Sequence, residues 1–243
     1  MGVKWIKLDK AGSTNSYISE LIKEGKGVEK LVVIAEYQEH GRGQGSHLWH
    51  SRKGENLLMS LLLYPAFLSA SEQFQLSRVA SLAICDTLES MGVEPVIKWP
   101  NDILASRGKI AGILIEHAIS GGNLSYSIIG IGLNLNQLVF PDFPISATSL
   151  TLEKGITTDP NGMAETLLEK ILDRYKLLKE GDGEVLEREY LDRLHMLNQP
   201  ASFMVDGEEF AGMIRGVNNY GELLVEIEDR IQTFGHQEIK FRG

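Results

Sequence analysis

The sequence predicts an α+β fold followed by a second, smaller β-rich unit. Short apolar runs that indicate strands are concentrated before the middle of the chain, and long amphipathic patterns that indicate helices follow it. From about Asn198, strand-like runs alternate with turn signals such as Asp206-Gly207 at a spacing near ten residues. That spacing is typical of a small antiparallel barrel. We therefore expect a main domain over residues 1–196 and a C-terminal module over 197–243.

Each element of the main domain has its own local signal. Apolar runs rich in β-branched residues predict buried strands, and Gly121-Gly122-Asn123 predicts a hairpin turn between the last two of them. The predicted strands are 31–36, 57–63, 95–99, 110–116 and 126–133. Helices are predicted where apolar residues recur at helical spacing. They begin near Ser13-Thr14-Asn15, span 69–91, follow Asp159-Pro160, and span 185–194.

Charge and composition exclude several classes of protein. The 243 residues carry 33 acidic and 24 basic side chains, a formal net charge of -9, which disfavours general nucleic-acid binding and binding to anionic membranes. The only cysteine, Cys85, allows no internal disulfide and favours a reducing compartment. The longest apolar run, 57–63, is too short to span a bilayer. We expect a cytoplasmic protein.

A glycine-rich loop over 38–49 is the first candidate for a ligand site. Gly41, Gly43 and Gly45 allow backbone amides to approach an anion closely, and Arg42 among them can pair with a carboxylate or phosphate. The loop lacks the Lys-Ser/Thr of a P-loop, and position 46 is serine where a dinucleotide-binding fingerprint has glycine. Glycine content alone is equally consistent with a flexible connection.

Two further segments place polar side chains at strand ends. Pro100 restricts Trp99 to extended geometry, so that Asn101 and Asp102 follow a fixed strand end. An aspartate at such a position can hold Mg²⁺, although an ordinary Asn-Asp turn explains the same residues. Lys109 opens the apolar strand KIAGILIE, in which Gly112 indicates close approach by a ligand or by another backbone.

Taken together, these segments resemble those of the biotin protein ligase family. The Ser-Thr-Asn start, the GRGxG loop ending in Trp49, KWPND, KIAGILIE and GIGLN occur in one order between Ser13 and Asn134. The resemblance implies a mixed or antiparallel sheet with helices on one side, like the catalytic core of class II synthetases. It also implies an SH3-like C-terminal barrel, and an activity that joins biotin to a lysine with ATP and Mg²⁺.

The resemblance also implies roles for individual residues. The biotin head group would bind to Ser13, Thr14 and Gln38, with Asn15 adjoining it. The loop Gly41, Arg42, Gly43 and Gln44 would close over biotin and the adenylate phosphate. Adenine would meet Trp49, Asn101 and Asn134, while Lys109 would lie beside the reacting carboxylate and α-phosphate. Gly112 and Ile113 would be among the residues that bind biotin or ATP. Asp102 and Lys98 would shape the site for Mg²⁺ and the incoming lysine.

The sequence departs from the family pattern at two places. Many members have a second arginine where Gln44 stands, which leaves open how tightly this chain retains the activated intermediate. Repressor members have a DNA-binding domain before the Ser-Thr-Asn motif, whereas twelve residues precede Ser13. We therefore expect no DNA-binding function. The expected protein partner is the biotin carboxyl carrier domain of a carboxylase, and the sequence leaves both a monomer and a homodimer open.

Two rival functions need to be separated from the ligase. A lipoate–protein ligase or octanoyltransferase shares the general fold, but the transferase needs a catalytic cysteine and Cys85 lies in an apolar helical pattern. A non-catalytic sensor of biotin or nucleotide would not need Arg42, Asp102 and Lys109 together. In the ligase reaction the nucleophiles come from the substrates, which agrees with the absence of a recognisable Ser, Cys or His nucleophile.

Overall fold

The computed structural model describes residues 2–45 and 47–242. Ser46, where the loop departs from the dinucleotide-binding pattern, therefore lies outside the described residues. The main domain contains a seven-stranded sheet in the order β1-β2-β3-β7-β6-β5-β4. The strands are β1 Lys4–Leu8, β2 Leu31–Ala35, β3 Asn56–Leu63, β4 Val96–Lys98, β5 Asp102–Ala105, β6 Gly108–Ser120 and β7 Asn123–Asn134.

The sheet is mixed, because β1 runs parallel to β2 while the other neighbouring pairs are antiparallel. All five predicted strands are present, and β6 and β7 form the predicted hairpin. β1 and β5 were not predicted. In β1, lysines interrupt a very short apolar pattern, and β5 starts directly at Asp102, inside what reads as a turn.

The described residues of the main domain also form five α-helices, which are α1 Thr14–Lys23, α2 Phe74–Ser90, α3 Leu150–Lys154, α4 Pro160–Glu180 and α5 Gly183–Asp192. The single helix predicted over 69–91 is wrong in its first turn. Ala70–Glu72 is a 3₁₀ turn with a capping box between Ser69 and Glu72, and α2 begins only at Phe74. The α4 prediction holds, since the Asp159 carboxylate accepts hydrogen bonds from the Asn161 and Gly162 amides.

The two faces of the main sheet receive different helices. Alternate residues of β3, such as Met59 and Leu61, belong to the core that α2 and α4 cover, whereas Leu62 packs with Ile18 of α1. The α+β class is confirmed, but the expectation of helices on one side needs a correction. Helix α1 lies on the opposite face, because its apolar stripe pairs with the other set of alternating strand residues.

The C-terminal module is a five-stranded antiparallel sheet in the order β11-β10-β9-β8-β12. Its strands are β8 Pro200–Val205, β9 Glu208–Val217, β10 Leu223–Ile227, β11 Arg230–Phe234 and β12 Lys240–Arg242. The indole of Trp99 donates a hydrogen bond of 2.9 Å to the Gly221 carbonyl, and the Lys98 ammonium lies 5.0 Å from the centre of the Phe241 ring. These contacts fix the module against the KWPND segment.

No helix in the described part of the chain is long and apolar enough to cross a membrane. The single cysteine, Cys85, is buried within α2, on the side of the sheet away from α1. Burial raises the pKa of its thiol to about 12. A thiol that stays protonated at neutral pH is a poor nucleophile, in agreement with the structural role predicted for it.

Candidate active site

A cavity of about 570 Å³ opens on the α1 face of the main sheet. Its walls come from the glycine-rich loop, β6, β7, the segment 140–147 and the C-terminal segment 236–240. The predicted site residues that line it are Ser13, Thr14, Asn15, Gln38, Arg42, Gly43, Gln44, Trp49, Asn101, Asp102, Lys109, Gly112, Ile113 and Asn134. Residues from distant parts of the sequence are thus brought to one site.

One end of the cavity is a buried polar cluster. The Gln38 side-chain carbonyl accepts hydrogen bonds from the Thr14 amide at 2.7 Å and from the Thr14 hydroxyl at 3.1 Å. Ser60, which is fully buried on β3, places its hydroxyl 2.7 Å from the Thr14 hydroxyl and 2.6 Å from the Asn15 amide oxygen. Because its members fix one another, the cluster offers a ligand preset polar groups.

Strands β6 and β7 hold the side chain of Asn15 in place. Its amide nitrogen donates to the Leu114 carbonyl at 3.2 Å and to the Glu116 carboxylate at 2.8 Å. A Cβ on Gly130 would lie 2.4 Å from the Asn15 amide oxygen, so only glycine fits beneath it. Gly130 of β7 therefore makes room for the side chain of Asn15.

The indole of Trp49 packs closely against two further glycines. A Cβ on Gly132 would lie 2.3 Å from the indole, and one on Gly112 would lie 2.9 Å from it. A close approach to Gly112 is therefore present, but the approaching groups are the side chains of Trp49 and Lys109 rather than the ligand or the backbone that the sequence predicts. Strand β7 keeps its register with β3 through Gly130 and Gly132, which excludes a bulge there.

Two ion pairs bring positive charge to the cavity. The Lys109 ammonium lies 2.6 Å from the Asp102 carboxylate and 5.6 Å from the centre of the Trp49 ring. The Arg42 guanidinium donates to the Glu116 carboxylate at 2.5 Å. Lysine at the mouth of β6 therefore faces the same space as the Asn-Asp turn, as the sequence predicts.

Two buried polar atoms at the cavity have no partner among the described residues. They are the indole nitrogen of Trp49 and the amide oxygen of Asn134. The amide nitrogen of Asn134 is already used, since it donates to the Thr148 carbonyl at 3.0 Å. An unpartnered buried acceptor costs free energy, so that a donor on a ligand would stabilise this position.

Two predicted site residues do not line the cavity. Gly41 lies behind Trp49, where its carbonyl accepts a hydrogen bond from the Trp49 amide at 2.9 Å. The Lys98 side chain turns toward Phe241 of the C-terminal module, and burial lowers the pKa of its ammonium. Lys98 thus lies at the interface with the C-terminal module, within electrostatic reach of Asp102 and Lys109, and its expected role in shaping the site stays a prediction.

Sequence reasoning missed several residues of the site. Ser60 and Glu116 complete the polar contacts, and the aromatic pair Phe140 and Phe143 lines the cavity from the segment after β7. His236, Gln237 and Lys240 line it from the C-terminal module. Glu116 closes the KIAGILIE motif without having been assigned a role, and no local pattern marks the other positions, because each reaches the site through contacts far apart in the sequence.

Comparison with known proteins identifies the family to which this fold belongs. The model of the biotin/lipoate A/B protein ligase family matches residues 8–134, which contain the loop, the KWPND segment and both glycine-bearing strands. The chain is 32% identical to the bifunctional ligase/repressor BirA of Escherichia coli over 235 residues, 95% of this chain and 72% of that protein. This chain belongs to the biotin/lipoate A/B protein ligase family.

Other members of the family match over nearly their full length. The biotin–[acetyl-CoA-carboxylase] ligase of Paracoccus denitrificans is 30% identical over 245 residues, which cover 95% of this chain and 98% of that protein. The solved structure of the Aquifex aeolicus biotin protein ligase in complex with biotin and ATP superposes with a TM-score of 0.80. It is 26% identical and covers 98% of both chains.

Proposed function

We propose that this chain is an ATP-dependent biotin protein ligase that forms biotinyl-5′-AMP and transfers the biotinyl group to a lysine of a carrier domain. Family membership and the ligases matched over nearly the whole chain support this activity. The observation that carries it is the single cavity that joins a buried polar cluster, an exposed arginine on a glycine loop, and the Lys109–Asp102 pair.

The first step brings two anions together. A carboxylate oxygen of biotin attacks the α-phosphorus of ATP, and the bond from that phosphorus to the bridging oxygen of pyrophosphate breaks. Arg42 and Lys109 supply positive charge beside the reacting carboxylate and phosphate, and the backbone amides of the glycine-rich loop add hydrogen-bond donors. In this proposal Ser13, Thr14 and Gln38 orient the head group, so that the carboxylate points toward Lys109.

Adenine is proposed to stack on Trp49. The Asn134 amide oxygen, buried and without a protein partner, would then accept a hydrogen bond from the exocyclic amine of the base. Asn101 supports the wall of this pocket through its own hydrogen bond of 2.8 Å to the Ile113 carbonyl.

The second step needs no nucleophile from the chain. The amine of the acceptor lysine attacks the carbonyl carbon of the mixed anhydride, an amide bond forms, and AMP leaves with the anhydride oxygen. The adenylate is labile to water, so closure of the loop that carries Arg42 and Gln44 would protect it. We propose the biotin carboxyl carrier domain of a carboxylase as acceptor, and the cytoplasm as the compartment.

Mg²⁺ is the metal that this reaction implies. No three His, Cys, Asp or Glu side chains in the described ranges converge as a metal cluster. Asp102 offers one carboxylate beside Lys109, which fits an ion held mostly by nucleotide phosphates. When bound, Mg²⁺ would neutralise phosphate charge, with Asp102 as its protein ligand.

The test is to incubate the purified chain with ATP, Mg²⁺ and a biotin carboxyl carrier domain, with either biotin or lipoate, and to measure intact mass. The expected result is an ATP-dependent gain of one biotinyl group on the carrier. A gain with lipoate alone would assign the chain to the lipoate ligases. Biotin binding without any transfer would instead favour a sensor.

A further inference from the structure

Glu116 connects the loop arginine to the buried polar cluster. One oxygen of its carboxylate accepts hydrogen bonds from the Asn15 amide at 2.8 Å and from the Arg42 guanidinium at 2.5 Å. The family motif includes this glutamate, yet neither step of the reaction requires a carboxylate at that position. Its function therefore needs a separate explanation.

The two partners of Glu116 differ in how firmly they are held. Asn15 is 3% exposed and is fixed by Ser60 and by the Leu114 carbonyl. Arg42 belongs to a glycine-rich loop, and its side chain is 43% exposed. The Glu116 carboxylate, which extends from β6, thus links the long Arg42 side chain on the loop to the firmly held Asn15.

The contact leaves the arginine able to bind an anion. It uses one terminal nitrogen of the guanidinium, which carries five N–H donors in a fixed planar arrangement. Holding one edge of this group restricts the rotamers of the arginine side chain before any ligand binds. The remaining donors can then meet the ligand with less entropy still to be lost.

We propose that Glu116 is a positioning residue, which holds the Arg42 guanidinium at the mouth of the cavity and ties its position to Asn15. The inference rests on the proposed ligase function. Both side chains of the pair are about two-fifths exposed, so the pair itself contributes little to the stability of the fold. The effect of Glu116 should therefore appear in the rate of adenylate formation rather than in stability.

The first test is Glu116→Gln in the full chain, with pyrophosphate release measured at varied biotin and ATP. Glutamine keeps an acceptor for Asn15 and removes the charge that holds Arg42. We expect kcat for adenylate formation to fall about tenfold, because a displaced guanidinium no longer meets the developing charge. KM for biotin should stay within about twofold of the parental value, because the head group is proposed to bind at Ser13, Thr14 and Gln38, which the substitution leaves unchanged.

The matched control is Glu226→Gln. Glu226 also pairs with an arginine, Arg215, and the two side chains are 27% and 38% exposed, but they lie in the C-terminal module away from the cavity wall. We expect parental kcat and KM for this variant. An equal loss in both variants would mean that any such pair supports activity through stability, and would overturn the proposal.

The second test asks whether Glu116 acts through Arg42. Arg42→Ala and the double variant Arg42→Ala/Glu116→Gln should have kcat values within about twofold of each other, since the residue to be positioned is gone. Losses that multiply, or a parental kcat in Glu116→Gln, would overturn the inference.

A variant that fails to fold is recognised by its thermal unfolding, and Glu116→Asp, which keeps the charge on a shorter side chain, then replaces it in the same cycle. In that case Glu116→Asp should lower kcat when Arg42 is present and should leave kcat unchanged when Arg42 is alanine. If the parental chain binds biotin but releases no pyrophosphate, the proposed function fails, and that result is distinct from any difference among the variants.

Discussion

The two faces of the main sheet carry side chains of very different size. On the face toward α2 and α4, strand residues such as Leu61 and Ile131 are large, apolar and almost fully buried. On the face toward α1, the same strands present Ser60, Gly130 and Gly132. One face is filled by its own side chains, whereas the other leaves space for Trp49, Asn15 and a ligand.

The difference shows how one strand serves stability and function at once. Because successive side chains of a strand point to opposite faces, large residues in one register build the core while small residues in the other build the floor of the cavity. Substitutions on the α1 face should therefore change ligand binding and rate, and those on the α2 face should change stability.

The largest effect is expected for Lys109→Ala. This change removes a cation beside the reacting groups and leaves Asp102 without its partner at 2.6 Å. The rate of adenylate formation should fall by about 10²–10³, as for loss of one transition-state donor. Pyrophosphate release in single turnover measures this loss, with the exposed Lys179→Ala as control. A near-parental rate would remove Lys109 from the mechanism.

The opposite face gives the next largest effect. Leu61 is completely buried in the core, so Leu61→Ala should lower the free energy of unfolding by about 3 kcal/mol. KM for biotin and ATP should stay at the parental values at a temperature where the variant remains folded. Denaturant unfolding measures the first quantity, and a raised KM would show that the two faces are not independent.

Gly132→Ala tests the floor of the cavity with a single methyl group. Its Cβ would lie 2.3 Å from the Trp49 indole, which must move. If adenine stacks on Trp49, KM for ATP should rise about tenfold or more, because stacking of a base on an aromatic ring contributes about 1–3 kcal/mol. Gly162→Ala is the control, since the nearest atom to a Cβ there is 3.6 Å away. An unchanged KM for ATP would argue against stacking.

The contrast between the faces also explains what the sequence could predict. Strands β3, β6 and β7 and helix α4 were predicted because their signals are local, in apolar runs, caps and turns. The family motifs identified most of the cavity wall in advance. The expectation that all helices lie on one side of the sheet was wrong for α1. The apolar residues of a helix show that one of its sides is buried, but they do not show against which face of the sheet it packs.

Residues that act across long sequence distances were not predictable in this way. Ser60 reads as a polar interruption of an apolar strand, and only the fold puts it between Thr14 and Asn15. The position of Lys98 depends on Phe241, which is more than a hundred residues away. The predicted division of the chain at 196 stays a prediction, although the second sheet begins at Pro200.

The smallest effect concerns a polar residue on the core side. His117 bonds to the Ser127 hydroxyl at 2.8 Å, and burial lowers the pKa of its imidazole to about 4 from an ordinary 6.5. The unfolded chain therefore binds a proton between these two values while the folded chain does not. Stability contributed by neutral His117 is present above pH 6.5 and is lost as the pH falls toward 4.

Between pH 6.5 and 5.5 this linkage should lower the free energy of unfolding by about 1 kcal/mol. His195, whose pKa burial also lowers, contributes with the same sign, so only a variant isolates His117. Denaturant unfolding of the parental chain and of His117→Asn at both pH values measures the difference. The variant should lose about 1 kcal/mol less than the parent over this step. Equal losses would mean that His117 titrates alike in both states, and that the core face tolerates a charge at this position.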